Sequence, residues 1–323
     1  MYGIFCEFLA VDAESGGIVA DLLDPWTRPG APIGRDVPGL RLLGGLHRLV
    51  LSGRAESLAR FYPSVGGSED PAHAWPELRA TMVEHAPVLR RAIEQPPQTN
   101  EVGRAVPLLG GLRHISAWSG GMPVRLVEIG ASAGLNLRAD RLPIGPGRLI
   151  DAELPLGDAP PYEIVARIGG DLAPIDATTE EGALTLTSFV WPDDGPRLER
   201  LRAAIEVARL VPVDLRTAGA AELLETMEVE TGTVLVVWHS VMWQYVRELE
   251  RERVLAALDR IGASATPNAR AAHLLLEPSL KRRSGGGGPA HDLRLTTWPG
   301  ADEWLLGEAP AHGVPVHWTV PLN

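Results

Sequence analysis

The stretch RLVEIGASAGLNL, Arg125 to Leu137, holds residues that support two different chemistries. Taken as Gly130-Ala131-Ser132-Ala133-Gly134 it is G-x-S-x-G, the strand-to-helix elbow that exposes a nucleophilic serine in hydrolases. Taken from Glu128 it is E-x-G-x-S-x-G, a glycine turn that lets a dinucleotide or nucleoside cofactor come close to the backbone. Both need a buried strand, a sharp turn and a helix start, so the local pattern leaves both open. Two further groups could move protons. His239, with Ser240 after it, ends the apolar run VLVVW, and an imidazole titrates near neutral pH. Glu101 lies in QTNEVGR, Gln98 to Arg104, among the polar side chains of Asn100 and Arg104.

These groups must be positioned by the elements around them. Up to about Gly121 the pattern is helical. GLRLLGGLHRLVLSG and WPELRATMVEHAPVLRRAIEQ carry apolar residues at three- and four-residue spacing, without a β-branched alternating run. After Pro123 short apolar runs (VRLVEIG, EIVARIG, TVLVVWH and AAHLLLEP) alternate with helical stretches such as GPRLERLRAAIEVARL and RELERERVLAALDRIG. That alternation predicts a parallel α/β sheet covered on both faces. DLRLTTWPG and GVPVHWTV leave no room for a long helix between them and predict an antiparallel addition at the sheet edge. KRRSGGGGPAHD predicts a flexible loop. The expected organisation is a helical N-terminal cap region over 1–121 and a Rossmann-like domain over 122–323. The first helix of that domain should start near Gly134 and offer its amides to a cofactor.

Order along the chain favours the cofactor turn over the serine elbow. In an α/β-hydrolase the elbow follows several sheet strands and an HGGG-type loop, whereas almost everything before Ser132 has a helical pattern. A mononucleotide-binding unit, in contrast, begins at the first strand of its sheet. Composition narrows the partners. Lys and Arg total 30 against 41 Asp and Glu, a net charge of −11, which repels phosphate backbones and argues against nucleic acid. A lone cysteine, Cys6, excludes an internal disulfide and multi-cysteine metal sites, and suits a reducing compartment. The start lacks the pattern of a signal peptide and no apolar run is long enough to span a bilayer, so a cytoplasmic protein without a membrane partner is expected. The histidines have no ligand spacing, and no bound metal is expected.

On these residues the chain resembles the class I S-adenosylmethionine (SAM) methyltransferases. VEIGASAGLN is similar to their first motif, IGGDLAPID to their second strand, TVLVVWHSVMWQYV to their fourth and AAHLLLEPSL to their fifth. The set FYPS, QTNEVGRA, EIGASAGLN, FVWPDD and VVWHS more closely resembles an uncharacterised bacterial family, domain-of-unknown-function family 2332. The resemblance implies a SAM-dependent, methyltransferase-like transferase acting on a small molecule. It implies a cofactor site of Glu128, Gly130, Ser132, Gly134, Asn136 and Asp171, with Asp171 on the ribose hydroxyls. Two features depart from that pattern. Asp171 lies 41 positions past Gly130, while Asp151 lies 21 past it, nearer the expected spacing of about 20. VPVDLRTAGAAELL lacks the acid that often contacts adenine.

Each candidate also has a plain structural role. Glu128, charged inside an apolar strand, either binds cofactor or takes hydrogen bonds from its own turn. Thr99 or Asn100 could simply cap a helix with Glu101 in its first turn; the functional expectation is that Asn100, Glu101 and Arg104 roof the glycine turn. His239 is expected as a general base, with Glu101 and Asn100 near it; its alternative is a hydrogen bond to a neighbouring strand. Tyr62, Trp191, Trp243 and Tyr245 could contact a sulfonium or adenine, or merely pack. Asp193 and Asp194 are expected to cap a helix near Pro196. Lys281, Arg282 and Arg283 could close over an anionic substrate or stay solvated. Two other functions stay open: a non-catalytic nucleoside-binding protein, and a serine hydrolase using Ser132.

Overall fold

The first strand among the described residues begins at Val124; what is described before it is helix, turn and coil. The computed structural model describes residues 1–27, 37–155, 159–279 and 290–319. Lys281, Arg282 and Arg283 lie outside the described residues. Contacts divide the chain into a helical unit, residues 1–99 with 177–201, and a sheet unit, residues 100–176 with 202–323. The units therefore do not follow a single boundary near 121. QTNEVGR, from Asn100 onward, and the helix after it go with the sheet, and the segment holding FVWPDD goes with the N-terminal helices.

The helical unit contains α1 (Tyr2–Glu14), α2 (Pro38–Leu51), α3 (Trp75–Glu84), α4 (Ala86–Glu94) and, from the later segment, α6 (Glu180–Ser188). Leu42, Leu43, Leu46, Leu49 and Val50 recur at helical spacing on α2 and are buried with Phe5, Leu58, Tyr62, Leu78, Met82 and Leu89. Full burial of each such side chain is worth about 1.5–3 kcal/mol. Mid-helix glycines cost about 1 kcal/mol relative to alanine. On α2 they are needed for close approach: a Cβ at Gly44 would lie 2.6 Å from the Phe189 ring, and one at Gly45 3.0 Å from Leu89.

The sheet unit has α5 (Ala105–Ser119), the later part of α7 (Gly195–Leu210), and β1 (Val124–Ile129), β2 (Ile164–Asp171), β3 (Asp214–Thr217), β4 (Val234–Ser240), β5 (Arg270–Pro278), β6 (His291–Trp298), β7 (Asp302–Ala309) and β8 (His317–Trp318). The strands form one eight-stranded sheet in the order β3-β2-β1-β4-β5-β6-β7-β8. Neighbours from β3 through β5 are parallel, and β6, β7 and β8 continue antiparallel at one edge. The order of succession reverses between β1 and β4, and in open α/β sheets the crevice beyond the strand ends at such a switch point is where ligands bind.

Strand alternation assigns the site residues to faces. Val127, Ile129, Leu235, Val237 and Ala271 pack with α8 (Ala220–Glu225) and α9 (Glu248–Ser264) through Leu224, Val254, Leu258 and Ile261. His239 and His273 are in phase with that face. Glu128, Trp238 and Leu274 lie on the other, where Leu274 meets α5 at Gly111. β3, only four residues of DLRT with exposed or half-buried positions, has too little apolar pattern to be read from sequence.

One expectation is corrected. No α-helix begins at Gly134; a 3-10 helix spans Asn136–Arg141, with Arg138 off helical torsions at φ −108°, ψ 19°. The Arg138 side chain explains this. Its Nη1 donates to Gly134 O at 2.9 Å and its Nε to Val211 O at 2.7 Å, so the chain is tied down where a helix would extend.

Candidate functional site

The glycine turn is built by left-handed torsions at Gly130 (φ 69°), Ser132 (φ 51°) and Gly134 (φ 64°). Such torsions suit glycine and strain serine. Hydrogen bonds to the end of β2 hold the turn. Gly130 N and Ala131 N donate to Gly170 O at 2.9 and 3.1 Å, and Ser132 N donates to Asp171 Oδ2 at 2.8 Å. Gly134 N donates to Ala131 O at 2.7 Å and Leu135 N to Asn100 Oδ1 at 2.8 Å. These five amides are already engaged within the fold.

Asp171 thus stands at the end of β2 beside the turn, its other oxygen accepting from Ala173 N at 2.9 Å. Asp151 instead accepts from Gly147 N at 3.1 Å, within its own loop. The glycines before Asp171 answer to packing: a Cβ at Gly169 would lie 2.9 Å from Ala131 Cβ, and one at Gly170 2.8 Å from Leu223. Over Gly130 sits Met242, whose side chain would be 3.2 Å from an added Cβ. Nothing in the sequence marks Met242 for that place. It is carried there by the chain reversal after β4, where Val241 takes φ 51°, a strained value for a β-branched residue.

Beneath the turn is a buried polar cluster. Glu128 and Asn136 are 2% and 1% exposed, and neither Glu128 Oε2 nor Asn136 Oδ1 has a hydrogen-bond partner. Burial pushes the Glu128 carboxyl up to about 8, against the opposing pull of the Arg104 guanidinium and of the nearby Trp238 and Asn136 side chains. Arg104 donates from Nε to Ala311 O at 2.9 Å and from Nη1 to Ser240 O at 3.2 Å; burial lowers its own pKa, while Glu101, Glu277 and Glu128 oppose that. Glu101 is buried, accepts from Gly103 N at 3.3 Å as an N-cap, and pairs through Oε2 with His312 Nδ1 at 3.1 Å. Asn136 Nδ2 donates to Glu101 O at 3.3 Å. Asn100 and Glu101 accordingly meet Leu135 and Asn136 just after the glycine turn, whereas Arg104 is held by Ser240 and Ala311.

His239 belongs to a second cluster. Its Nδ1 donates to Glu277 Oε1 at 2.8 Å, its Nε2 lies 3.0 Å from His273 Nε2, and its ring stacks on Trp243 at 5.4 Å. Glu277 Oε1 also accepts from Met242 N and Trp243 N at 3.0 and 3.3 Å. His273 is held down to about 3, first by burial and then by His239. Glu101 and His239 therefore have separate partners, Glu101 beside the Glu128 cluster and His239 on the face of α8 and α9. Sequence reasoning missed His273 and Glu277, although HLLLE on a strand carries a signal. Period two puts both ionisable groups on one face of an otherwise apolar run. His312 gave none, because its contact is made by a distant coil segment.

Tyr62 and Trp191 lie in the helical unit. Tyr62 is fully buried in its core with an unpartnered hydroxyl, and Trp191, 48% exposed, packs on Tyr2 at 5.9 Å. Tyr245 is exposed. Asp194 Oδ1 accepts from Arg197 N at 3.2 Å, and Asp193 pairs with the N-terminal ammonium at 2.8 Å. Ser132 is followed by the 3-10 turn, not by an elbow helix. Among the described residues no group of three or more His, Cys, Asp or Glu could hold a metal ion, and no helix is long and apolar enough to cross a membrane.

No curated protein matches the chain. Residues 1–318 match the model of a family described as an uncharacterized protein conserved in bacteria (DUF2332), and the chain belongs to that family.

Proposed function

We propose that this family member binds a nucleoside cofactor at the glycine turn and is a SAM-dependent methyltransferase acting on a small molecule. One observation carries the reading: a buried carboxyl and a buried amide oxygen lie beside the turn. Five of the turn's amides are engaged, while Glu128 Oε2 and Asn136 Oδ1 are buried acceptors without partners. Leaving a buried acceptor unpaired costs about 1–3 kcal/mol. A ligand that fits brings N–H and O–H groups. SAM does so through its α-ammonium and ribose hydroxyls.

In this reading Glu128 and Asn136 take the ammonium and Asp171, whose oxygens retain acceptor capacity, takes the ribose. Bound SAM would supply an electrophilic methyl group, and the transfer depends on holding nucleophile and sulfonium in line. Titration calorimetry of the full chain with SAM and with S-adenosylhomocysteine tests it. Micromolar binding of both is expected; binding of neither sinks the proposal. The second reading, cofactor binding without turnover, is favoured by His239, whose ring nitrogens face Glu277 and His273 and leave no obvious base. Release of S-adenosylhomocysteine across a small-molecule library separates the two.

A further inference from the structure

The helical unit holds an arrangement that the glycine turn does not use. His47, on α2, is fully buried, and its Nδ1 lies 3.2 Å from the Ser188 carbonyl. A carbonyl can only accept, so Nδ1 carries the hydrogen and Nε2 of the neutral ring keeps its lone pair. That lone pair faces Ser64 Oγ at 2.8 Å, and the hydroxyl donates to it. Ser64 is half-buried between the exposed residues Pro63 and Val65, while the His47 ring lies in the core. The Tyr62 ring rests against the imidazole at 5.5 Å and 31°.

Nucleophile, base and orienting group are thus within hydrogen-bond reach in the order that activates a serine. A buried histidine that only needed satisfying could take a backbone amide; this one is given the hydroxyl of Ser64 from FYPS. We propose that Ser64 is a nucleophile activated by His47 and accepts acyl groups from small uncharged esters. The Ser64 Oγ proton passes to His47 Nε2 as Oγ bonds to the acyl carbon. The bond from that carbon to the alcohol oxygen then breaks, and the alcohol leaves with the proton from Nε2. Water, deprotonated in turn by Nε2, displaces Oγ, releasing the carboxylic acid and restoring the serine. Burial, opposed by the Ser188 and Val190 carbonyls, holds His47 down to about 4, so the ring is neutral and ready to accept at neutral pH. The orienting group is a carbonyl and not a carboxylate, so the imidazolium is poorly stabilised and turnover should be slow.

The test is intact-mass and peptide mapping of the full chain after exposure to a fluorophosphonate probe and to p-nitrophenyl acetate. One adduct on Ser64 is expected, in preference to the exposed Ser52 and Ser68. It should vanish in Ser64→Ala and form at least tenfold more slowly in His47→Gln. No adduct, equal labelling of the three serines, or an adduct on Ser132 in place of Ser64 overturns the proposal. The selectivity comparison is made on the unmodified protein, so it is decisive even if His47→Gln does not fold.

Discussion

At the scale of single residues, Glu128 ties the candidate site to a measurable proton. With its carboxyl pushed up to about 8 by burial, it is largely protonated at pH 7, and a cation placed beside it would expel that proton. SAM binding at pH 7 should therefore release close to one proton, read from calorimetric enthalpies in buffers of different ionisation heat. Affinity should rise with pH up to about 8, and Glu128→Gln should remove both effects. Binding without proton release would place the ammonium elsewhere. Asp171 and Asp151 make a second pair. Losing a charge-assisted contact to the ribose costs roughly 1.5–3 kcal/mol, so Asp171→Ala should weaken SAM binding at least tenfold. Asp151→Ala, which touches only its own loop, should leave it unchanged. Ser132→Ala should also cost little, because the turn uses the backbone amide of Ser132 and its small size.

At the scale of elements, the turn and the end of β2 form one packed joint. Gly169→Ala would push a methyl to within 2.9 Å of Ala131 Cβ and Leu215. Overpacking of this kind costs typically 1–3 kcal/mol. Urea unfolding should show that loss, and because Ala131 belongs to the turn, SAM affinity should fall with it. Full affinity in a destabilised Gly169→Ala protein would mean the joint and the ligand site are independent. The strands β1, β4 and β5 were legible because burial on both faces writes a near-continuous apolar signal into the sequence, and β2, exposed or half-buried over its first half, still carries the short run of EIVARIG. β3 was not, and neither was the 3-10 helix after the turn. Arg138 decides that segment by bonding Gly134 O and Val211 O, and one of those partners lies 73 positions away.

At the scale of the whole molecule, buried histidines in both units set the response to acid. His47 is held near 4 and His273 near 3, while in the unfolded chain each titrates near 6.5. Below 6.5 the unfolded state binds more protons, so their contribution is complete above 6.5 and is lost as pH falls towards the folded values. Glu128 has the opposite sign: its contribution is complete below about 4.5 and is lost as pH rises to about 8. Urea midpoints at pH 7 and pH 4.5 should fall with acid in the wild type and fall less in His47→Gln. An unchanged acid sensitivity in that variant would mean His47 is accessible to protons in the fold. The sequence by itself determined the succession of helices then strands, the antiparallel edge and the glycine turn, because periodicity and glycine torsions are local properties. It also singled out Glu128 as a charge inside an apolar run, His239 at the end of one, Asn100 in a run of polar residues, and, through the family resemblance, Asp171. Which partners they meet was decided only in three dimensions. Period two fixes a side chain's face, but strand order and register place His239 beside Glu277 and His273 and set Glu128 with Asn136 and Arg104, and loop torsions at Val241 lay Met242 over Gly130.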